Sequence, residues 1–236
     1  MRRLLALAVV LVLAGLMMAG VSQLPAPGSP DGAVHRHVAA EYIAGGVEAG
    51  GAPNLVTSVL LNYRALDTYG EVVVIYAALL AVLAVSLGGT GRGGPHPPAR
   101  RVPVSPVVDL VVRLMAPFIA LFALFMIIEG HVLPGGGFQG GVVLGALMVL
   151  LALVLGPERL RRLLPPTGLS WVRASAPLVF GLTALAGLAL GGWLFALPEQ
   201  PWLREVILVT LELAIGVGAA FALGGFFLSL EADPDD

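Results

Sequence analysis

Six long apolar runs, parted by short polar or glycine- and proline-rich stretches, set the pattern of this chain. They lie at 4–21, 69–87, 106–128, 142–155, about 177–197 and about 202–230. A helix needs about 20 mostly apolar residues to cross a bilayer, so the runs predict six transmembrane helices. The fourth is short and draws on the glycines before it. Between 54 and 71 the spacing is different: apolar residues at 55, 56, 59, 60, 63 and 66 follow a helical period, with Ser58, Asn62 and Arg64 among them. This predicts an amphipathic helix at the membrane surface. Asp67 and Thr68 are then placed to cap the next helix, with Glu71 in its first turn, where the helix dipole favours a carboxylate. The fold class is all-α integral membrane, with a Gly-rich break between helices 3 and 4.

Connections follow from the same pattern. The segment 22–53, rich in Pro, Gly and Ala, reads as an extramembrane loop, and 88–103 as a Gly/Pro/Arg linker. Ser105 and Pro106 form an N-cap followed by a first-turn proline. Asp109 and Arg113, four apart, can pair on the third helix. Gly187 and Gly191 offer a close-packing pair on the fifth. The N-terminal run has two readings, a cleaved signal peptide and a retained helix; its length favours the helix, because signal cores run to about 7–15 residues. The tail 231–236 is acidic.

Composition sharpens this. Of 236 residues 58% are hydrophobic and 12% charged, against about 25% charged in soluble domains. The net charge of −2 gives no electrostatic case for nucleic acid. There are 0 cysteines, which excludes disulfides, thiolate-held iron–sulfur clusters and Cys-bound zinc. No cofactor is expected. His35 and His37 flank an arginine in the polar loop with no third ligand nearby, so no metal site is expected either. All 13 basic residues are arginine, and the orientation follows from them. With the N-terminus inside, inner segments hold Arg2, Arg3, Arg92, Arg100, Arg101, Arg159, Arg161 and Arg162, and outer ones Arg36, Arg64 and Arg204. The excess of inner arginines puts both termini in the cytoplasm of a cell inner membrane protein.

Ionisable groups at membrane depth are costly and mark candidate function. Glu212 lies about 15 Å into the sixth helix at 1.5 Å per residue, near mid-bilayer. Glu205 is seven residues earlier on the same stripe, and Gly216 continues it. That stripe should face protein or a water-filled cavity; the competing reading of Glu212 is a structural hydrogen bond. Glu129 and His131 form a second candidate pair at the outer end of the third helix, where an imidazole suits proton handling. They open the stretch Pro134, Gly135, Gly136, Gly137, Phe138, Gln139, Gly140 and Gly141. Bent backbone is kept at membrane depth only where it lines protein or a cavity. Gly137, Gly141 and Gly145 make one small helix face suited to tight packing.

The stretch from Glu129 to Gly141 closely resembles the signature of the MnhB component of Mrp-type (Mnh) multisubunit Na+/H+ antiporters, a resemblance spanning about 106–230. That family usually carries Asp in its last helix where this chain has Glu212. The segment 54–71, with Asn54, Arg64, Asp67, Thr68, Gly70 and Glu71, resembles the C-terminal end of the large A component of these antiporters and the small E component of membrane-bound hydrogenases. The resemblance implies a two-helix unit over 1–87, a linker over 88–103 and a four-helix unit over 104–230. It also implies a complex whose larger membrane subunits carry the main channels for Na+ and H+. Glu212, Glu129, His131, Glu71 and Glu205 are then the ion-path candidates of this chain, which does no bond chemistry. A membrane-arm subunit of a hydrogenase, or of a related redox-driven ion pump, is the alternative the first segment allows.

Overall fold

The structure, a computed structural model, describes residues 2–26, 28–30, 32–88, 104–156, 159–160 and 166–230. Among these the secondary structure is helical throughout, and six helices are long and apolar enough to cross a membrane. The linker 89–103, the tail 231–236 and five of the arginines that orient the chain (Arg92, Arg100, Arg101, Arg161 and Arg162) lie outside the described residues.

Contacts divide the chain into a unit up to Ala44 and a unit from Gly45 onward. The first holds α1 (Arg2–Ser22), whose apolar span begins at Leu4, and α2 (Ala33–Arg36). It also holds most of α3 (Val38–Gly45), so the expected polar loop at 22–53 contains short helices.

The second unit contains α4 (Leu55–Ser58), a π-helical turn (Val59–Tyr63), α5 (Ala65–Gly88) and α6 (Pro106–Ile128). A 3-10 turn (Glu129–His131), α7 (Gly137–Leu155), α8 (Pro166–Gly191) and α9 (Pro201–Leu230) follow. The third and sixth predicted spans are found within a residue of their expected ends. Ser105 does sit at the N-cap of α6, but its side chain makes no capping bond, and Pro106 alone sets the start. Arg113 Nε donates to Asp109 Oδ1 at 2.9 Å as expected.

Three expectations need correcting. The helix predicted over 54–71 is broken by the π turn, and α5 begins at Ala65 rather than Tyr69. Asp67 and Thr68 therefore lie inside α5 and do not cap it, and Glu71 sits beyond the first turn. Thr68 is fully buried, its hydroxyl donating to the Leu60 carbonyl at 2.6 Å across the junction. Leu55, Val56 and Leu66 of the apolar stripe are exposed, while Thr57, Ser58, Leu61 and Ala65 on the other face are buried. Finally, α8 starts earlier and ends earlier than 177–197. The chain folds back after Gly192, so an added Cβ at Gly187 would stand 2.8 Å from the Phe195 nitrogen. The glycines make room for this returning loop, not for another helix.

α9 is the axis of the second unit, packing on α5, α6, α7 and α8. Between α5, α8 and α9, Phe180, Phe195 and Tyr69 meet with ring centroids 6.1–6.3 Å apart. Such pairs add about 0.5–1.5 kcal/mol beyond the area they bury. Against α7 the contact is made by glycines. An added Cβ at Gly137 would stand 2.7 Å from Ile215 Cβ, one at Gly141 2.9 Å from Ala219 Cβ, and one at Gly145 2.9 Å from Leu223 Cβ. Spacing of four residues keeps all three on one face, and the structure sets this face against α9.

Candidate functional site

Asn54 starts the site. Its side-chain oxygen accepts from the Val56 N–H at 3.0 Å and caps α4. Its Nδ2 donates to the carbonyls of Gly130 at 2.7 Å and Leu133 at 2.9 Å, while its N–H donates to the His131 carbonyl at 3.0 Å. One residue thus ties the turn after α6 to the start of α4. Asn54→Ala removes the cap and both long-range side-chain bonds. It should destabilise the chain by about 1–2 kcal/mol, read as a lower thermal midpoint of the detergent-solubilised complex; an unchanged midpoint would remove the clamp.

One turn on, the Thr57 hydroxyl lies 2.7 Å from the Gly130 carbonyl and 3.0 Å from Glu212 Oε1. The Gly137 N–H, at the start of α7, donates to Glu212 Oε2. An α-helix leaves its first N–H groups unpaired and carries positive potential there, so the N-terminus of α7 suits an acidic side chain. Glu212 is 4% exposed. The carboxyl therefore joins three separate pieces of chain: α4, α7 and its own α9. Among the described residues it is the titratable one that lines a cavity of about 10 Å³, shared with Thr57, Thr68, Gly136 and Gln139, room for about one water.

The glycines make this approach close. An added Cβ at Gly136 would sit 3.4 Å from Glu212 Oε2, and its φ of +133° lies where side chains rarely go. An added Cβ at Gly130 would meet the Gly136 Cα at 2.6 Å. Gly140 and Gly141 are also buried, Gly140 against Ala123 on α6, whereas Pro134 and Gln139 are exposed and Gly135 and Phe138 half-buried.

Of the second candidate group, His131 is the residue that meets an acid of α9. His131, 8% exposed, holds the Ile128 carbonyl with Nδ1 at 3.1 Å and presents Nε2 to Glu205 Oε1 at 3.4 Å. Glu129 is half-buried at the start of the same 3-10 turn. Since Nδ1 needs its hydrogen for Ile128, Nε2 binds Glu205 as a donor only when the ring is protonated. Glu205 shares the stripe of Glu212 but is 63% exposed. It lies beyond the tip of α7, where His131 reaches it. Glu71 is exposed on α5, away from the cluster. Arg64 and Asp67 pair with each other at 2.6 Å on the surface, and Gly70 is exposed beside them.

Two residues of this end were given no role at the site by the sequence. Thr57 was hidden by the apolar stripe opposite it, although 57, 61, 65 and 68 share a helical spacing of their own. Arg204 donates to the carbonyls of Pro198 at 3.1 Å and Glu48 at 2.9 Å, tying two loops together.

Comparison with known proteins now bears on this arrangement. Residues 107–229 match the model of the domain related to the MnhB subunit of Na+/H+ antiporters. The chain belongs to the MnhB-related family. Residues 1–87 of this MnhB-related chain also match the model of MbhE, the E component of MBH. It is 24% identical over 185 residues to a probable K+/H+ antiporter A/B component of Rhizobium meliloti, covering 68% of this chain and 18% of that one. Over 205 residues it is 27% identical to an uncharacterized protein of Methanocaldococcus jannaschii, covering 76% and 78%. Over 85 residues it is 31% identical to the B component of a Na+/H+ antiporter of Bacillus subtilis, covering 36% and 59%. The MnhB-related chain thus spans about a fifth of the first of these relatives and over half of the other two.

Among solved structures, a chain of the archaeal membrane-bound sulfane sulfur reductase, a respiratory membrane complex, is similar with a TM-score of 0.69 and 29% identity, over 97% of both chains. A chain of the Mrp complex of Dietzia is similar with a TM-score of 0.61 and 26% identity, over 94% of this chain and 26% of that one. The MnhB-related chain is a multi-pass membrane protein, related to subunits of multisubunit membrane complexes.

Proposed function

We propose that this chain is a membrane subunit of a multisubunit, monovalent cation/proton antiporter, and that Glu212 takes part in the ion path. The observation that carries this is a carboxyl buried on α9, level with the start of α7, and held by that helix N-terminus and a hydroxyl. A buried acid with polar partners, beside a water-sized cavity, can take up and release a proton where an apolar side chain could not. Glu205 near the start of α9, and His131 on the turn after α6, stand toward the outer end and offer an exposed acid and a buried imidazole. Glu129 and Glu71 belong to the same reading as acids on the surface that companion subunits cover. The similarity to proteins described as K+/H+ and Na+/H+ antiporter components supports a monovalent cation as the exchanged ion. The chain acts as a transporter subunit, not as a catalyst, and both termini face the cytoplasm of the inner membrane.

In this reading residues 1–87 and 104–230 correspond to two neighbouring subunits of the machinery, joined through 88–103. A second reading has its own support. The similar chain of the sulfane sulfur reductase matches end to end, so the same subunit form serves a respiratory complex. There, a redox reaction elsewhere would drive the ions.

One experiment tests both. The tagged chain is purified in mild detergent and the complex that accompanies it is reconstituted into vesicles. The antiporter reading expects large membrane subunits to co-purify, and a Na+ or K+ gradient alone to drive proton movement. Co-purification of cysteine-rich redox subunits, with proton movement only on electron supply, would give the second reading. Recovery of the chain alone would defeat both.

A further inference from the structure

The hydrogen count at Thr57 carries a further step. A threonine hydroxyl has one hydrogen to donate and two lone pairs. Its oxygen lies 2.7 Å from the Gly130 carbonyl, which can only accept, and 3.0 Å from Glu212 Oε1. Both contacts are satisfied together in one arrangement: Thr57 donates to Gly130, and Glu212 carries a proton on Oε1 that it donates to Thr57. The other oxygen, Oε2, meanwhile accepts from the Gly137 N–H. When Glu212 loses its proton, Oε1 becomes an acceptor, and the Thr57 hydrogen can serve Gly130 or Glu212 but not both. The charged acceptor is the stronger, so the hydrogen turns to Glu212. Gly130 then keeps its bond from Asn54 Nδ2 at 2.7 Å, and no carbonyl is left bare.

We propose that Thr57 is a positioning residue whose single hydroxyl hydrogen alternates between the Gly130 carbonyl and the Glu212 carboxylate, coupling the protonation of Glu212 to the clamp between α4 and the Glu129–His131 turn. With Glu212 protonated, two side chains hold Gly130. With Glu212 ionised, one does. The turn so loosened also carries His131, whose Nε2 faces Glu205. Among the described residues, the other groups that bear on Glu212 are few. The rest of its cavity is lined by Val56, Leu60 and Leu61 before α5, by Thr68 on α5, by Gly135 to Gln139, and by Ile215 on α9, none of them charged. The charged or titratable neighbours are His131 on the turn and, nearer the helix end, Glu205 on α9. This inference rests on the proposed role of Glu212 as a proton-exchanging group.

The test uses the reconstituted complex with wild-type chain, Glu212→Gln, Thr57→Ser and Thr57→Val. Infrared difference spectra between acid and alkaline pH are recorded in the carboxylic-acid carbonyl region, alongside the pH profile of transport. The wild type should show a carboxylic-acid band that Glu212→Gln lacks. Thr57→Val should move that band to higher wavenumber, because the acid loses its acceptor, and should displace the pH profile by roughly one unit. Thr57→Ser, which keeps the hydroxyl, should restore both. An unmoved band in Thr57→Val, or a Thr57→Ser complex that behaves like Thr57→Val, overturns the proposal. If Thr57→Val does not assemble, the wild type against Glu212→Gln decides: absence of a Glu212 acid band at either pH overturns it. Full transport in Glu212→Gln would defeat the ion-path role instead, and leaves the spectral comparison of the Thr57 variants standing.

Discussion

Glu212→Gln should leave the complex assembled while lowering its cation/proton exchange at least about tenfold, a change worth about 1.4 kcal/mol. The amide reproduces every contact of the protonated acid. Its oxygen accepts from the Gly137 N–H and its NH2 donates to Thr57 Oγ1, in the positions now held by Oε2 and Oε1. What it cannot do is give up a proton. Assembly and exchange are thereby separated by one atom. Glu212→Leu is the contrasting change: it strands the Gly137 N–H in a buried site, while the Thr57 hydroxyl keeps its bond to the Gly130 carbonyl. A stranded buried donor costs about 1–3 kcal/mol, so the leucine variant should fail in thermal stability as well as in transport. Proton flux in everted vesicles and size-exclusion profiles in detergent separate the two. Exchange at wild-type rates by Glu212→Gln would remove Glu212 from the mechanism and leave it a structural hydrogen bond.

Gly141→Leu should be the most disruptive change along the glycine face. An added Cβ there stands 2.6 Å from the Gly216 carbonyl oxygen and 2.9 Å from Ala219 Cβ, so the neighbour that must move is largely the backbone of α9. Overpacking a seam of this kind costs about 1–3 kcal/mol, and more where nothing flexible can yield. Because α9 also packs on α5, α6 and α8, its displacement spreads beyond α7. The expected result is loss of the assembled complex from detergent extracts. Gly70→Leu is the internal control, since nothing among the described residues of this chain lies within 4 Å of a Cβ at Gly70. Assembly of the Gly141→Leu chain at wild-type level would show that the α7–α9 contact is looser than described.

Span positions were legible because the solvent is a bilayer: apolar length alone marks a helix, and Pro106 and Gly156 punctuate α6 and α7. The glycine face of α7 was legible for a related reason, since small residues four apart have few uses in lipid other than close packing. Legibility failed where local pattern and tertiary contact disagree. The apolar stripe at 55, 56 and 66 points outward, whereas Thr57, Ser58 and Thr68 point in, each with a hydrogen-bond acceptor of its own. Periodicity ranks residues by hydrophobicity and is blind to a carbonyl supplied from 73 residues away, as Gly130 is to Thr57. Glu212 itself was found from depth alone. Its partners were not, because they come from two segments distant in sequence.

The bonds from Asn54 and Thr57 have a consequence for how the chain is put together. They cross from the segment before 89–103 to the segment after it, so the two parts recognise each other through their own surfaces. The covalent tether adds local concentration and fixes their ratio at one to one. A genome encoding the two parts as separate polypeptides would specify the same joint, with synthesis rates in place of a peptide bond to keep the numbers equal.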